Sequence, residues 1–238
     1  IMPSLVGSEM CIRDRCYTAT EMIRHLLFDI DNTLYSASNL MEQRISERMF
    51  QFIADFLAIP LEEAIRLQRA RRGSYGTTLE WLECEYHFND RDTYFAAVHP
   101  ASEISELQPD PHLRDFLISL QMPMTVLTNA PMAHAERVLN FFNISDLFLG
   151  IFDISYNQGK GKPQPTAFTK PLAAVHKTVD ETLFLDDCPA YVQGFVQIGG
   201  RSVLIDEKER CTDFTKMSGI PSIKSIYELP PLLARLSV

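Results

Sequence analysis

The sequence predicts an α/β fold: a parallel sheet with helices on both faces, interrupted once by an all-helical insertion. Three observations carry that prediction. The second half alternates short apolar runs with helical stretches. Three of the apolar runs end in polar groups, Asp29 and Asp31, Thr128-Asn129 and Asp186-Asp187. Between Tyr35 and Pro109, roughly seventy residues carry helical periodicity and almost no strand signal.

The first run, Leu26-Leu27-Phe28, is apolar throughout and suits a strand buried on both faces. Carboxylates do not belong inside such a strand, because an unpaired buried charge is costly. Asp29 and Asp31 therefore belong where the strand leaves the sheet, the edge at which open α/β sheets bind ligands. Taken alone, Asp31-Asn32 fits a simple turn equally well.

Within the insertion, Ile45, Met49, Phe50, Ile53, Phe56 and Leu57 recur at threes and fours, predicting a helix over Met41 to Ile59. Pro60 ends it, and a second helix runs from Leu61 to Arg72. Gly73 and Gly76 bracket a loop, after which Thr77 or Thr78 can cap a third helix through Trp81. Arg91 to Val98 forms a fourth. His112 to Leu120 leads back into the sheet. Strands follow at Met124–Thr128, Gly150–Ser155, Glu181–Leu185 and Arg201–Ile205. Helices alternate with them at Ala133–Phe142, Pro165–His176 and Tyr191–Ile198, and a closing helix is expected within Ile226–Leu236. An insertion of this size forms a subdomain by length alone.

Composition narrows the function. A net charge of -9, from 22 basic and 31 acidic residues, leaves no broad basic surface for a nucleic acid polymer. No apolar run reaches the ~18 residues of a membrane span. Five cysteines, widely spaced and without a CxxC pair, suit free thiols in a reducing, cytoplasmic setting. The stretch from Ser4 to Asp14 resembles an in-frame translated sequencing adapter. Residues 1–21 are thus expected to be a non-native or disordered extension, with the native start at Met22.

Parallel strands bring their carboxyl ends to one edge, so Asp29, Asp31, Thr128, Asn129, Asp186 and Asp187 should share a crevice with Lys162. Each signal is weak alone: Thr-Asn is often a helix cap, a double Asp a solvated turn, and a lysine a surface residue. The Gly159-Lys-Gly-Lys162 run lacks the spacing of a Walker loop. Together they are more telling. Two carboxylates ~4 Å apart repel by about 4 kcal/mol at an effective dielectric of ~20. A hard divalent cation relieves this, and oxygen ligands without His or Cys favour Mg²⁺. Thr128, Asn129 and Lys162 supply donors for a phosphoryl group.

These motifs, Asp29-Ile-Asp31-Asn-Thr33, Thr128-Asn129, Lys162-Pro163 and Asp186-Asp187, resemble the haloacid dehalogenase superfamily in order and spacing. The resemblance implies a Rossmann-like core at 22–35 and 109–238 with a helical cap at 36–108. It implies Asp29 as nucleophile, forming an aspartyl-phosphate, and Asp31 as general acid and base. Mg²⁺ would be held by Asp29, the Asp31 carbonyl and Asp187, with Asp186 ligating or orienting. Thr128 and Asn129 would bind the phosphoryl group, and Lys162 would neutralise developing charge. Asp31 argues against dehalogenase chemistry. The cap contains no lysine, which excludes a Schiff-base phosphonatase.

Phe28 to Tyr35, Tyr75-Gly-Thr-Thr78, Val98-His99 and Ala167-Phe168 look like the pyrimidine 5′-nucleotidase branch of subfamily IA. Tyr191 departs from the Asn common there after the double Asp. In the cap, Arg72 and Tyr75 are candidates to contact a base or sugar, whereas Trp81 suits packing better. The partner expected is a small phosphorylated metabolite, handled by a monomer or homodimer. A phosphosugar phosphatase or mutase on the same scaffold is the alternative enzyme. A catalytically silent phosphate-binding regulator is the alternative of another class, though a binder needs no second aspartate.

Overall fold

The computed structural model describes residues 22–71 and 73–236. The expected N-terminal extension and Arg72 lie outside the described residues. Six parallel strands form one sheet in the order β3-β2-β1-β4-β5-β6. They are β1 (His25–Phe28), β2 (Met124–Leu127), β3 (Phe148–Phe152), β4 (Thr182–Asp186), β5 (Arg201–Ile205) and β6 (Ser222–Ile223). The chain runs outward from β1 through β2 to β3, then returns to the other side of β1 with β4. Strand order thus reverses between β1 and β4, where Phe28 pairs with Leu185. That reversal opens a crevice beyond the strand ends.

Side chains alternate across the pleat. Leu26 and Phe28 enter one apolar cluster with Val126, Leu183 and Leu185. Helices α5 (Leu113–Ser119), α6 (Met132–Phe141) and α10 (Leu229–Leu236) cover it through Leu117, Val138 and Leu232. Leu27, Leu127 and Phe184 enter the other, covered by α7 (Pro165–Ala174) and α8 (Pro189–Gln197) through Phe168, Leu172 and Phe195.

The insertion between β1 and β2 holds α1 (Met41–Leu57), α2 (Leu61–Arg71), α3 (Thr78–Tyr86) and α4 (Arg91–Val98). It carries its own apolar cluster, centred on Ile53, Ala64, Trp81, Leu82 and Tyr94. Trp81 is buried there, in a packing role. Thr77 caps α3, its hydroxyl accepting from the Glu80 amide at 3.1 Å. A 3₁₀ segment, Ala101–Glu106, returns the chain to the core.

Four elements differ from the sequence reading. The third strand lies two residues earlier than expected, because Asp153 ends it. The Asp153 carboxylate accepts from the Met132 and Tyr156 amides, both at 3.0 Å, and caps a short 3₁₀ turn. Helix α8 starts at Pro189, a residue pre-shaped for a helix's first position. Helix α9 (Thr212–Ser218) and the two-residue β6 are too short to leave a periodic signal.

Candidate active site

Asp29 follows β1 directly, its amide donating to the Leu185 carbonyl at 2.9 Å. Asp186 closes β4 and Asp187 follows it. Carboxylate oxygens of Asp29, Asp186 and Asp187 all lie within 4.8 Å of one another. Lys162 is wholly buried among them. Its Nζ donates to Asp29 Oδ1 and to Asp186 Oδ2, each at 2.6 Å. Burial opposes the lysine's charge, but Asp186 and Asp29 outweigh it and hold the ammonium protonated far into the alkaline range.

One ammonium does not balance three carboxylates. Burial and the charge of Asp29 push Asp187 up to about 7, although Asn32 Nδ2 donates to its Oδ2 at 3.0 Å. Burial also raises Asp29 and Asp186. An oxygen-only cluster short of positive charge fits a hard divalent cation.

Thr128 follows β2 at the same edge, buried, its Oγ1 accepting from the Ala130 amide at 3.0 Å. Asn129 is engaged with the lysine's backbone. Its Nδ2 donates to the Lys162 carbonyl at 3.0 Å, and its Oδ1 accepts from the Lys162 amide at 2.8 Å. A Cβ at Gly161 would meet that Oδ1 at 2.3 Å, so the approach requires glycine. The Asn129 side chain thus positions Lys162, leaving its backbone amide for a ligand.

The insertion reaches this edge through its glycine loop. Tyr191 on α8 donates from its hydroxyl to the Gly76 carbonyl at 2.9 Å, and its ring centre lies 5.1 Å from Lys162 Nζ. Tyr75 is turned elsewhere: its hydroxyl donates to Glu85 at 3.0 Å, a carboxylate shared with Arg71.

Asp31 belongs to a second cluster. Its Oδ1 accepts from the Tyr35 hydroxyl and from His134 Nε2, the latter at 2.9 Å. His134 Nδ1 lies 3.0 Å from Glu103 Oε1, off the line of a well-aligned hydrogen bond. Glu103 is wholly buried. Its Oε1 accepts from Arg137 Nη2 at 2.6 Å, and its Oε2 lies 3.2 Å from His99 Nδ1. Burial opposes charge on His134, but Asp31 and Glu103 prevail and raise it to about 10. Burial likewise opposes charge on Asp31, but His134 and Tyr35 prevail and lower it to about 2.

A family model described as haloacid dehalogenase-like hydrolase matches residues 23–199. The chain belongs to the haloacid dehalogenase-like hydrolases. Phosphate metabolism protein 8 of Saccharomyces cerevisiae is 27% identical over 186 residues, covering 72% of this chain. The chain spans 58% of the length of that relative. A haloacid dehalogenase phosphatase from Thermococcus onnurineus shares the fold with a TM-score of 0.63 and 19% identity, over 90% of this hydrolase and 100% of that chain. A magnesium-bound hydrolase of the same family from Bacillus subtilis gives 0.58 and 18%, over 90% and 99%. L-2-haloacid dehalogenase from Xanthobacter autotrophicus gives 0.56 and 13%, over 90% and 99%. At these identities the likenesses show the fold alone.

Sequence reasoning missed the hydrolase's second cluster. His134 sits on the buried stripe of α6 with Ala135, Val138 and Leu139. A histidine on an apolar face is the signal that was there to read. Glu103 left none, because a six-residue 3₁₀ segment has no period that marks its buried side.

Proposed function

We infer that this hydrolase is a Mg²⁺-dependent phosphatase that cleaves phosphomonoesters of small metabolites through an aspartyl-phosphate on Asp29. The observation that carries the reading is the contrast between two carboxylates on one turn. Asp29 stands in an acidic group short of positive charge, beside a buried lysine. Asp31 stands in a separate network that holds its Oδ1 and, among the described residues, leaves Oδ2 open. Asp29 is thus placed to attack and Asp31 to carry a proton.

An Asp29 oxygen attacks phosphorus, and the bond from phosphorus to the ester oxygen breaks. The leaving oxygen takes a proton from Asp31, whose proton affinity rises beside a bound phosphoryl dianion. Asp31, ionised again, then takes a proton from water as that water's oxygen attacks phosphorus. The acyl-phosphate bond breaks, and Asp29 and phosphate are restored. Lys162 and the Thr128 hydroxyl stabilise the phosphoryl oxygens, and Asn129 holds Lys162 in place. Asp29, the Asp31 carbonyl and Asp187 would hold Mg²⁺, with Asp186 behind them, and the ion neutralises charge on the phosphoryl group.

The name of the yeast relative supports a role in phosphate metabolism. The motifs shared with pyrimidine 5′-nucleotidases of subfamily IA favour nucleoside 5′-monophosphates as substrates. Tyr191, with its hydroxyl on the glycine loop, would hold the helical cap near the phosphate site. Dehalogenases share the fold, but a dehalogenase needs no acid for its halide and so no Asp31.

A phosphate-release screen over nucleoside monophosphates and sugar phosphates tests the reading. Mg²⁺-stimulated release, lost by about 10⁴-fold in Asp29→Asn, is expected. Undiminished release from Asp29→Asn would overturn it.

A further inference from the structure

We propose that His134, braced from behind by Glu103, is a positioning residue that aims the Asp31 carboxylate at the reacting oxygen. The inference rests on the roles of Asp29 and Asp31 given above and extends them to residues outside the four motifs.

Asp31 needs such an aid. It lies beyond β1, in the turn that follows the strand, and about a quarter of its side chain is exposed. Sheet packing therefore does not fix its rotamer. Two donors do, and both meet the same oxygen. The Tyr35 hydroxyl and His134 Nε2 converge on Oδ1. Among the described residues no hydrogen-bond donor meets Oδ2. Oδ1 is saturated and anchored, while Oδ2 keeps its lone pairs for a proton in transit.

His134 is itself held. Its ring is buried, 4.5 Å from the His99 ring, with Nδ1 against Glu103. Glu103 is fixed in turn by Arg137, which donates from Nε at 3.0 Å and Nη2 at 2.6 Å. A histidine oriented by a buried carboxylate on one nitrogen presents the other in a set direction, the logic by which a third group orients a catalytic base. The His99, Glu103 and His134 ligand atoms are close enough for a metal ion. Arg137 already places a fixed cation on Glu103, so positive charge there is supplied.

The test uses two substrates. An alkyl phosphomonoester such as ribose 5-phosphate has a leaving oxygen that needs a proton. The p-nitrophenolate of p-nitrophenyl phosphate leaves without one. Water attack on the aspartyl-phosphate needs the base in both cases. His134→Ala should lower kcat on the alkyl ester ~100-fold, the low end for general acid-base catalysis, with KM changed less than about threefold. On p-nitrophenyl phosphate the variant should keep a nitrophenolate burst of near-parental rate and accumulate phosphoenzyme.

His134→Gln, which restores an N–H donor, should recover at least ~10-fold of the alkyl-ester loss. Tyr35→Phe keeps the stack on Phe142, 6.0 Å between centres, and removes only the other donor. It should show the same leaving-group signature at smaller size, and it decides the matter if His134→Ala does not fold. Equal fractional loss of burst and steady state, or no loss, would overturn the proposal. Asp31→Asn must show the signature in full. If it does and the His134 and Tyr35 variants do not, positioning alone fails. If Asp29→Asn stays active, the phosphatase reading fails first.

Discussion

The two carboxylate clusters that flank the β1 turn differ in how their charge is balanced. Around Lys162, three carboxylates face one ammonium. Around His134, Asp31 and Glu103 face a charged imidazole and the Arg137 guanidinium. The first cluster is left short of positive charge. The second is complete within the chain. Proximity of acids alone therefore does not mark a metal site; the count of nearby cations decides.

Substituting Lys162 should break the first cluster most severely. Removing one partner of a buried ion pair costs about 3–5 kcal/mol. Lys162→Met is expected to lower stability by roughly that amount without divalent ions, read by urea unfolding. Restoration of much of this by Mg²⁺ would show that the loss is one of charge and not of packing.

Mg²⁺ should stabilise the parent protein through the same cluster. At a hundredfold excess over its Kd the gain is about 2.7 kcal/mol. Asp187→Asn should lose that gain, and His134→Gln should keep it. A gain that disappears with His134 would erase the distinction between the clusters.

Histidines sharpen the contrast. His25 is as buried as His134 but has hydroxyls for neighbours instead of carboxylates. Thr182 Oγ1, which donates to the Thr178 carbonyl at 2.7 Å, lies 3.0 Å from Nδ1, and Thr125 Oγ1 lies 2.8 Å from Nε2. Burial, with the charge of Lys177, lowers His25 from 6.5 to about 4. Between these values the unfolded chain binds the extra proton. Stability from neutral His25 is therefore full above pH 6.5 and is lost as pH falls towards 4, by about 2 kcal/mol at pH 5. Asp187, pushed up to about 7, acts with the opposite sign over this range. The measurement is accordingly the difference in pH slope between the parent and His25→Gln, both holding Mg²⁺. A parallel pair of slopes would contradict the assignment.

The smallest expected effect lies at the contact between insertion and core. Tyr191→Phe removes one hydrogen bond to the Gly76 carbonyl, about 1 kcal/mol. A few-fold rise in KM with kcat retained is expected from steady-state kinetics.

How much of this could be read in advance follows the same divide. The acids of the first cluster sit at strand ends, where an apolar run stops at an acid and periodicity locates both; Lys162 lies in a loop before α7 and is found only through its motif. Strands β1 to β5 and the insertion's helices were legible from such apolar runs and periods. Arg201–Ile205 and Arg91–Val98 match the observed bounds. Residues of the second cluster come from a helix face, a 3₁₀ segment and a turn. Their meeting depends on tertiary packing, which no local pattern encodes. Tyr75, a loop tyrosine between glycines, places its hydroxyl on Glu85, ten residues on in the insertion, a pairing that no local pattern marks.

Glu103 lies on the return path from the insertion, whereas His134 and Asp31 belong to the core. The insertion is therefore not a freely exchangeable module. A transplant that swaps everything between Tyr35 and Leu107 for a foreign helical bundle would discard the acid beside His134. Hybrids spliced upstream of Ala101 keep it. The seam for recombining this hydrolase with its relatives thus lies before the 3₁₀ segment and not after it.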